Sequence, residues 1–173
     1  MLAQPAAFTR VARFLPFPSR TNALFNLMSQ NRHLSRTVCM QTLYEWEFRN
    51  DLELETIAQR NIDEFIKDID QEYVWKVVRG VREHLDEINA LIVEAAPEWP
   101  LEQVARIDKN TLRVAIFEML YDPAQDVPPR VSINEAIEVG KTFGSESSSK
   151  FINGVLGFVY RKNEESLKPR DER

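Results

Sequence analysis

The sequence is poor in glycine: five in 173 residues, roughly 3% against a usual ~7%. That scarcity argues against sheet-rich folds with many tight turns and against glycine-rich loops that cradle phosphates. A single cysteine, Cys39, excludes an intramolecular disulfide and any paired-cysteine site, and fits a reducing, cytoplasmic setting. The two histidines, His33 and His84, lack partners at metal-ligand spacing, so no zinc site can be assembled from them. No apolar run approaches the ~20 residues that span a bilayer, so no membrane association is expected. The phosphate-loop, dinucleotide, zinc-protease and serine-hydrolase motifs are all missing. No cofactor and no catalytic residue is therefore expected. Cys39 lies on an apolar helical face and reads as a buried structural thiol. The carboxylate pairs Glu83 with Asp86 or Glu87, and Glu135 with Glu138, read as solvated helix faces.

Acid is missing from the first 44 residues, which carry five arginines: Arg10, Arg13, Arg20, Arg32 and Arg36. The remainder holds 17 of the 22 bases and all 27 acids, a body of net charge −10. A basic arm on an acidic body points to polyanion contact at one end of the molecule. Residues 1–27 contain three prolines and no sustained apolar period, and read as an unstructured extension. Met28 is an alternative start, and the arginine-bearing, acid-free composition also fits an organelle transit peptide, although serine is sparse. The folded domain is expected over residues 28–163, with 164–173 as a flexible tail.

What the chain has is helical periodicity. Val38, Cys39, Leu43 and Trp46 share a face of a first helix over 32–49. Leu54, Ile57, Ala58, Ile62, Phe65, Ile66 and Ile69 mark a second. A stripe from Val74 to Ile92 predicts one long third helix, stopped by Pro97. A short helix is expected over 101–106. Leu112, Ala115, Ile116, Met119 and Leu120 then define a helix ended by Asp122-Pro123. Ser132 and Glu135 have capping-box spacing before a helix burying Ile133, Ala136, Ile137 and Gly140, with Gly144 as its C-cap. A last helix buries Ile152, Val155, Leu156 and Val159. The fold class is all-α, a compact bundle of about seven helices in two subbundles divided near Pro97 to Pro100.

Two clusters suggest polyanion chemistry. Arg32 and Arg36, one turn apart at a helix start where positive charge opposes the macrodipole, suit phosphate contact with His33 alongside; a solvated helix start is the alternative. Lys141, Phe143, Lys150 and Phe151 bracket the turn GKTFGSESSSKF, combining helix-start N–H groups, charge and aromatic surface as single-stranded RNA recognition does. The alternative is that both phenylalanines are core and the lysines confer solubility.

The stretch DVPPRVSINEAIEVGKTFGSESSSKFINGVL, residues 126–156, resembles the C-terminal signature of the NusB family of transcription antitermination factors. RHLSRTVCMQTLYEWEFR resembles that family's arginine-bearing first helix with its Leu-Tyr-x-Trp element, and IDKNTLRVAIFEML its central helix. The likeness spans about residues 31–161. It implies a small adaptor that is not an enzyme, binding single-stranded boxA-type RNA of ribosomal transcripts together with NusE, a ribosomal protein, within the RNA polymerase antitermination complex. It leaves a homodimer open. By the same resemblance Arg32, His33, Arg36, Lys109, Phe143, Gly144, Ser147 and Lys150 are expected on the RNA side, and Tyr44, Asp108 and Glu118 on the partner side. The chain departs from the family in its sparser arginines, split by His33 and Leu34, and in Ser147 and Ser149 where Asp and His are common. Alternative readings are a stand-alone relative of the RNA-binding appendage of ribosomal RNA cytosine methyltransferases and a purely protein-binding helical adaptor.

Overall fold

The computed structural model describes residues 23–49, 51–125 and 127–167, with side chains from Asn31 onward. Its helices are α1 (Ala23–Phe48), α2 (Leu54–Glu64), α3 (Gln71–Glu83), α4 (Leu85–Ala95), α5 (Arg106–Ile116), α6 (Pro129–Phe143), α7 (Ser148–Lys162) and the single turn α8 (Glu164–Leu167). A π-helical segment, Phe117–Tyr121, prolongs α5. No strand occurs among the described residues, and the all-α expectation is met.

Helix α5 is the axis of the molecule. Every residue from Asp108 to Ile116 is buried, as expected of a helix enclosed on all sides. α1 packs on α5, α2 and α3, while α6 and α7 pack together and against α5, and α4 closes on α7. Val38 and Leu43 of α1, Leu54 and Ile62 of α2, Val74 and Val81 of α3, Leu112 and Ile116 of α5 and Ile152 and Leu156 of α7 form a single apolar cluster. The chain halves on either side of Pro97 thus share one core.

The expected long third helix is two helices. His84 (φ −103°, ψ 22°) interrupts the ladder between α3 and α4, and its ring stacks on Tyr121 with centroids 4.4 Å apart. A tertiary contact overrides a continuous apolar stripe. The short helix expected over 101–106 is a turn, closed by Gln103 N–H donating to Pro100 O at 2.8 Å. Ala105, extended at φ −52° and ψ 132°, then redirects the chain into α5. Ser132 does not cap α6: the helix begins at Pro129, whose fixed φ suits the first helical position, so Ser132 lies within it. Asp70 does cap α3, accepting from Tyr73 N–H at 3.0 Å. Gly144 ends α6 as expected.

Helix α1 begins at Ala23, ahead of the boundary expected at Met28. The rest of the expected extension, residues 1–22, lies outside the described residues. Of the expected tail, residues 168–173 lie outside them too, whereas Glu164–Leu167 is helical.

Candidate nucleic-acid interface

The arginine face of α1 is built around a buried ion cluster. Arg36 is 6% exposed, and its Nε donates to both carboxylate oxygens of Glu118, each at 3.1 Å. Its Nη2 lies 2.9 Å from Glu118 Oε1 and its Nη1 3.5 Å from Glu135 Oε2. The same Glu118 carboxylate accepts from the Tyr73 hydroxyl at 2.7 Å and from Ser132 Oγ at 3.0 Å. Four elements meet here: α1, α3, the π segment and α6. Burial alone would lower the Arg36 pKa, but Tyr73, Glu118 and Glu135 outweigh it and hold the guanidinium charged above its ordinary value. Burial, then the adjacent Glu118 charge, raises the Tyr73 hydroxyl well above its usual range, so it remains a donor.

Arg32 and His33 stand in front of this cluster. Arg32 Nε is 3.2 Å from Asp70 Oδ2, its side chain is 33% exposed, and its guanidinium lies 4.8 Å from the Tyr73 ring centroid. His33 Nδ1 is 2.7 Å from Glu135 Oε2. That bond from His33 leads the effects holding the Glu135 carboxyl below its ordinary value, and the Arg36 charge adds to it despite partial burial. Arg32, paired with Asp70, and His33, paired with Glu135, are the partly exposed members of this face, and Arg36 lies buried behind them.

Four expected site residues need correction on their placement. Arg36, read as a phosphate contact, is enclosed by carboxylates. Glu118, expected to face a partner, is 2% exposed and occupied by three side chains. Lys109, expected at the RNA surface, is buried, with Nζ 2.5 Å from Glu47 Oε1. The same Glu47 carboxylate takes Asn110 Nδ2 at 3.0 Å and Arg113 Nη1 at 3.2 Å. Burial works to raise the Glu47 pKa, but Lys109, Asn110 and Arg113 outweigh it and lower it. Asp108, the other acid expected at a partner, is buried too, with Oδ1 lacking a hydrogen bond. Burial raises its pKa, opposed by a hydrogen bond with Ser148. The reason is shared: α5 and the π segment are central, so their polar groups tie helices together.

The remaining expected RNA-side residues gather at the α6–α7 turn. Phe143 and Gly144 are half-buried there, Ser147 and Lys150 exposed. A Cβ on Gly144 would lie 2.6 Å from Gly140 O and 2.3 Å from Ser148 Oγ, so the turn closes only around a glycine. Ser148 Oγ accepts from Ser145 N–H at 2.8 Å, bracing the turn. Glu135, at the arginine face, and Phe143, at the turn, are about 12 Å apart along α6. Tyr44 is half-buried on α1. Sequence reasoning missed Tyr73, Glu47 and Arg113, which carry no periodic signal, and read Glu135 as a solvated or capping acid.

Among the described residues no group of three or more His, Cys, Asp or Glu is placed to hold a metal ion, and no helix is long and apolar enough to cross a membrane.

Comparison with known proteins places this geometry. The NusB family model matches residues 33–161. The transcription antitermination protein NusB of Chloroflexus aggregans is 38% identical over 132 residues, covering 76% of this chain and 88% of that protein. The T. maritima NusB structure superposes with a TM-score of 0.68 at 33% identity, covering 82% of this chain and 95% of that one. A crystal structure of the antitermination factors NusB and NusE in complex with dsRNA shares the fold, with a TM-score of 0.67 at 23% identity over 78% of this chain and 99% of that one. With its central signature, its identity to full-length relatives and its helical architecture in agreement, this chain belongs to the NusB family of transcription antitermination factors, which are not enzymes.

Proposed function

We propose that this chain is an RNA- and protein-binding adaptor that joins single-stranded boxA-type RNA of ribosomal transcripts to NusE within the transcribing RNA polymerase complex. The observation that carries the reading is the partly exposed pair Arg32 and His33, positioned by Asp70 and Glu135 in front of the buried Arg36–Glu118 pair and drawn from the stretch of sequence before Glu45 that contains no acid. The solved assembly of a NusB with NusE and dsRNA supports both partner classes. RNA phosphates meet Arg32 and His33, and the strand continues along α6 to the turn carrying Phe143, Gly144, Ser147 and Lys150. Tyr44 is the partner-side residue. Arg36, Lys109, Asp108 and Glu118 act from the interior by fixing helix positions. The acidic body repels RNA elsewhere and attracts a basic ribosomal protein, so the two partners bind cooperatively.

Fluorescence anisotropy with a boxA-type single-stranded RNA, with and without NusE at two salt concentrations, tests this. The informative variant is Arg32→Glu, because a charge reversal at Arg36 would place an acid against Glu118 and unfold the site. Binding tightens with NusE, weakens with salt, and in the variant loses affinity and about 0.7 of the logarithmic salt slope. Salt-independent binding untouched by Arg32→Glu refutes the RNA face and leaves a protein-binding adaptor.

A further inference from the structure

A cleft separate from the arginine face lies between the α4–α5 connection and the first turns of α7. Its volume is 370 Å³, at the lower end of the ~300–1,000 Å³ typical of small-ligand sites. Trp99, 54% exposed, supplies one wall. Phe151, half-buried and packed against the core, supplies another. Glu98 and Lys150 also line it, both exposed, and among the described residues neither has an ion pair or hydrogen bond. Gly154 completes the cleft, and a Cβ there would meet nothing within 4 Å.

An exposed indole beside a second aromatic, one unpaired carboxylate and one unpaired ammonium suit a ligand with three properties: a flat ring, an edge of N–H donors and a negative charge. A guanine nucleotide has all three. Its ring stacks on an indole, its adjacent N1–H and N2 amine match a carboxylate acting only as acceptor, and its phosphate pairs with a lysine. We propose that this cleft binds one unstacked guanosine of a bound single-stranded RNA, with the base on Trp99, its Watson–Crick edge on Glu98 and its phosphate on Lys150. The proposal rests on the RNA-binding reading above and adds base selectivity to it. Lys150 joins the cleft to the α6–α7 turn, so a strand following α6 reaches it without leaving the protein.

The test uses the full chain with NusE and a labelled oligouridine carrying one central guanosine, inosine or uridine. Guanosine binds about tenfold more tightly than uridine, the scale of one hydrogen bond to a charged carboxylate that uridine does not make. Inosine, lacking the N2 amine, falls between them. Trp99→Ala and Gly154→Leu abolish the guanosine advantage, the latter by filling the cleft from a position with free space; Trp99→Phe keeps most of it, and Glu98→Gln makes inosine equal to guanosine. Circular dichroism establishes that each variant is folded. Equal binding of all three RNAs, still weakened by Arg32→Glu, overturns the guanosine site and leaves the RNA-binding reading standing. Loss of NusE binding in Gly154→Leu with the guanosine advantage intact assigns the cleft to protein and also overturns it. Binding of no RNA in any mixture removes both readings.

Discussion

Replacing Glu118 by glutamine is the sharpest probe of the interior. The wild-type carboxylate neutralises Arg36 through contacts of 2.9–3.1 Å and accepts from Tyr73 and Ser132. Glutamine keeps the shape but offers a single acceptor oxygen, and its amide turns donors toward groups that are themselves donors. The buried Arg36 charge is left to Glu135, whose oxygen is 3.5 Å away. Removing one partner of a buried pair costs ~3–5 kcal/mol, and the remaining Glu135 places this case near the lower end, about 3 kcal/mol. For a chain of this size that lowers Tm by about 6–12 °C. Urea unfolding followed by far-ultraviolet circular dichroism reads the loss as a lower midpoint at unchanged slope. The double variant Arg36→Met/Glu118→Gln, which removes both charges and leaves the glutamine oxygen to accept from the Tyr73 hydroxyl, recovers about 2 kcal/mol of that loss. A Glu118→Gln protein within about 0.5 kcal/mol of wild type, or a double variant no better than the single one, refutes the uncompensated-charge argument.

Two further outcomes follow from the same interior. Gly80→Ala would set a Cβ 2.0 Å from the Phe117 ring, so α3 and the π segment must separate; about 1–3 kcal/mol is lost in denaturant unfolding, and unchanged stability would mean that the ring relaxes freely. Asp108 has a raised folded pKa because it is buried, so its ionisation opposes folding: that penalty is absent below its ordinary value of 3.8 and sets in as pH rises through the higher folded value. Asp108→Asn is accordingly more stable than wild type at neutral pH, and the gap closes on acidification; an unfolding midpoint that is lower than wild type at neutral pH contradicts this.

The helices and most of their inward faces are legible in the sequence because burial on one side imposes a 3.6-residue period. Ile57, Val77 and Leu156 are all buried where the periodicity puts them. What periodicity does not encode is which helix lies opposite. His84 breaks an unbroken stripe because Tyr121, far along the chain, stacks against it. Arg36 and Glu118 meet across 82 positions, and each looks alone like an ordinary surface charge. The family resemblance alone places Lys109 and Asp108 at the surface, and it is their position on an all-round buried helix, where polar residues tie helices together, that turns them inward. The α6–α7 turn was easier to read, since a Gly at a helix end and the serines beside it act locally.

The Arg36 cluster also sets an order on biosynthesis. As the chain leaves the ribosome, α1 to α4 emerge before the carboxylates of Glu118 and Glu135 exist outside the exit tunnel. Until they do, the side of Arg36 that the π segment and α6 cover stays open to water, so α1 can pack on α2 and α3 while its arginine face remains unfinished. The arginine face therefore reaches its final form only after most of the chain is made, and Arg32 and His33 acquire their fixed positions then. A nascent fragment holding every residue of α1 would not yet present the finished surface, which delays partner engagement until synthesis is nearly complete.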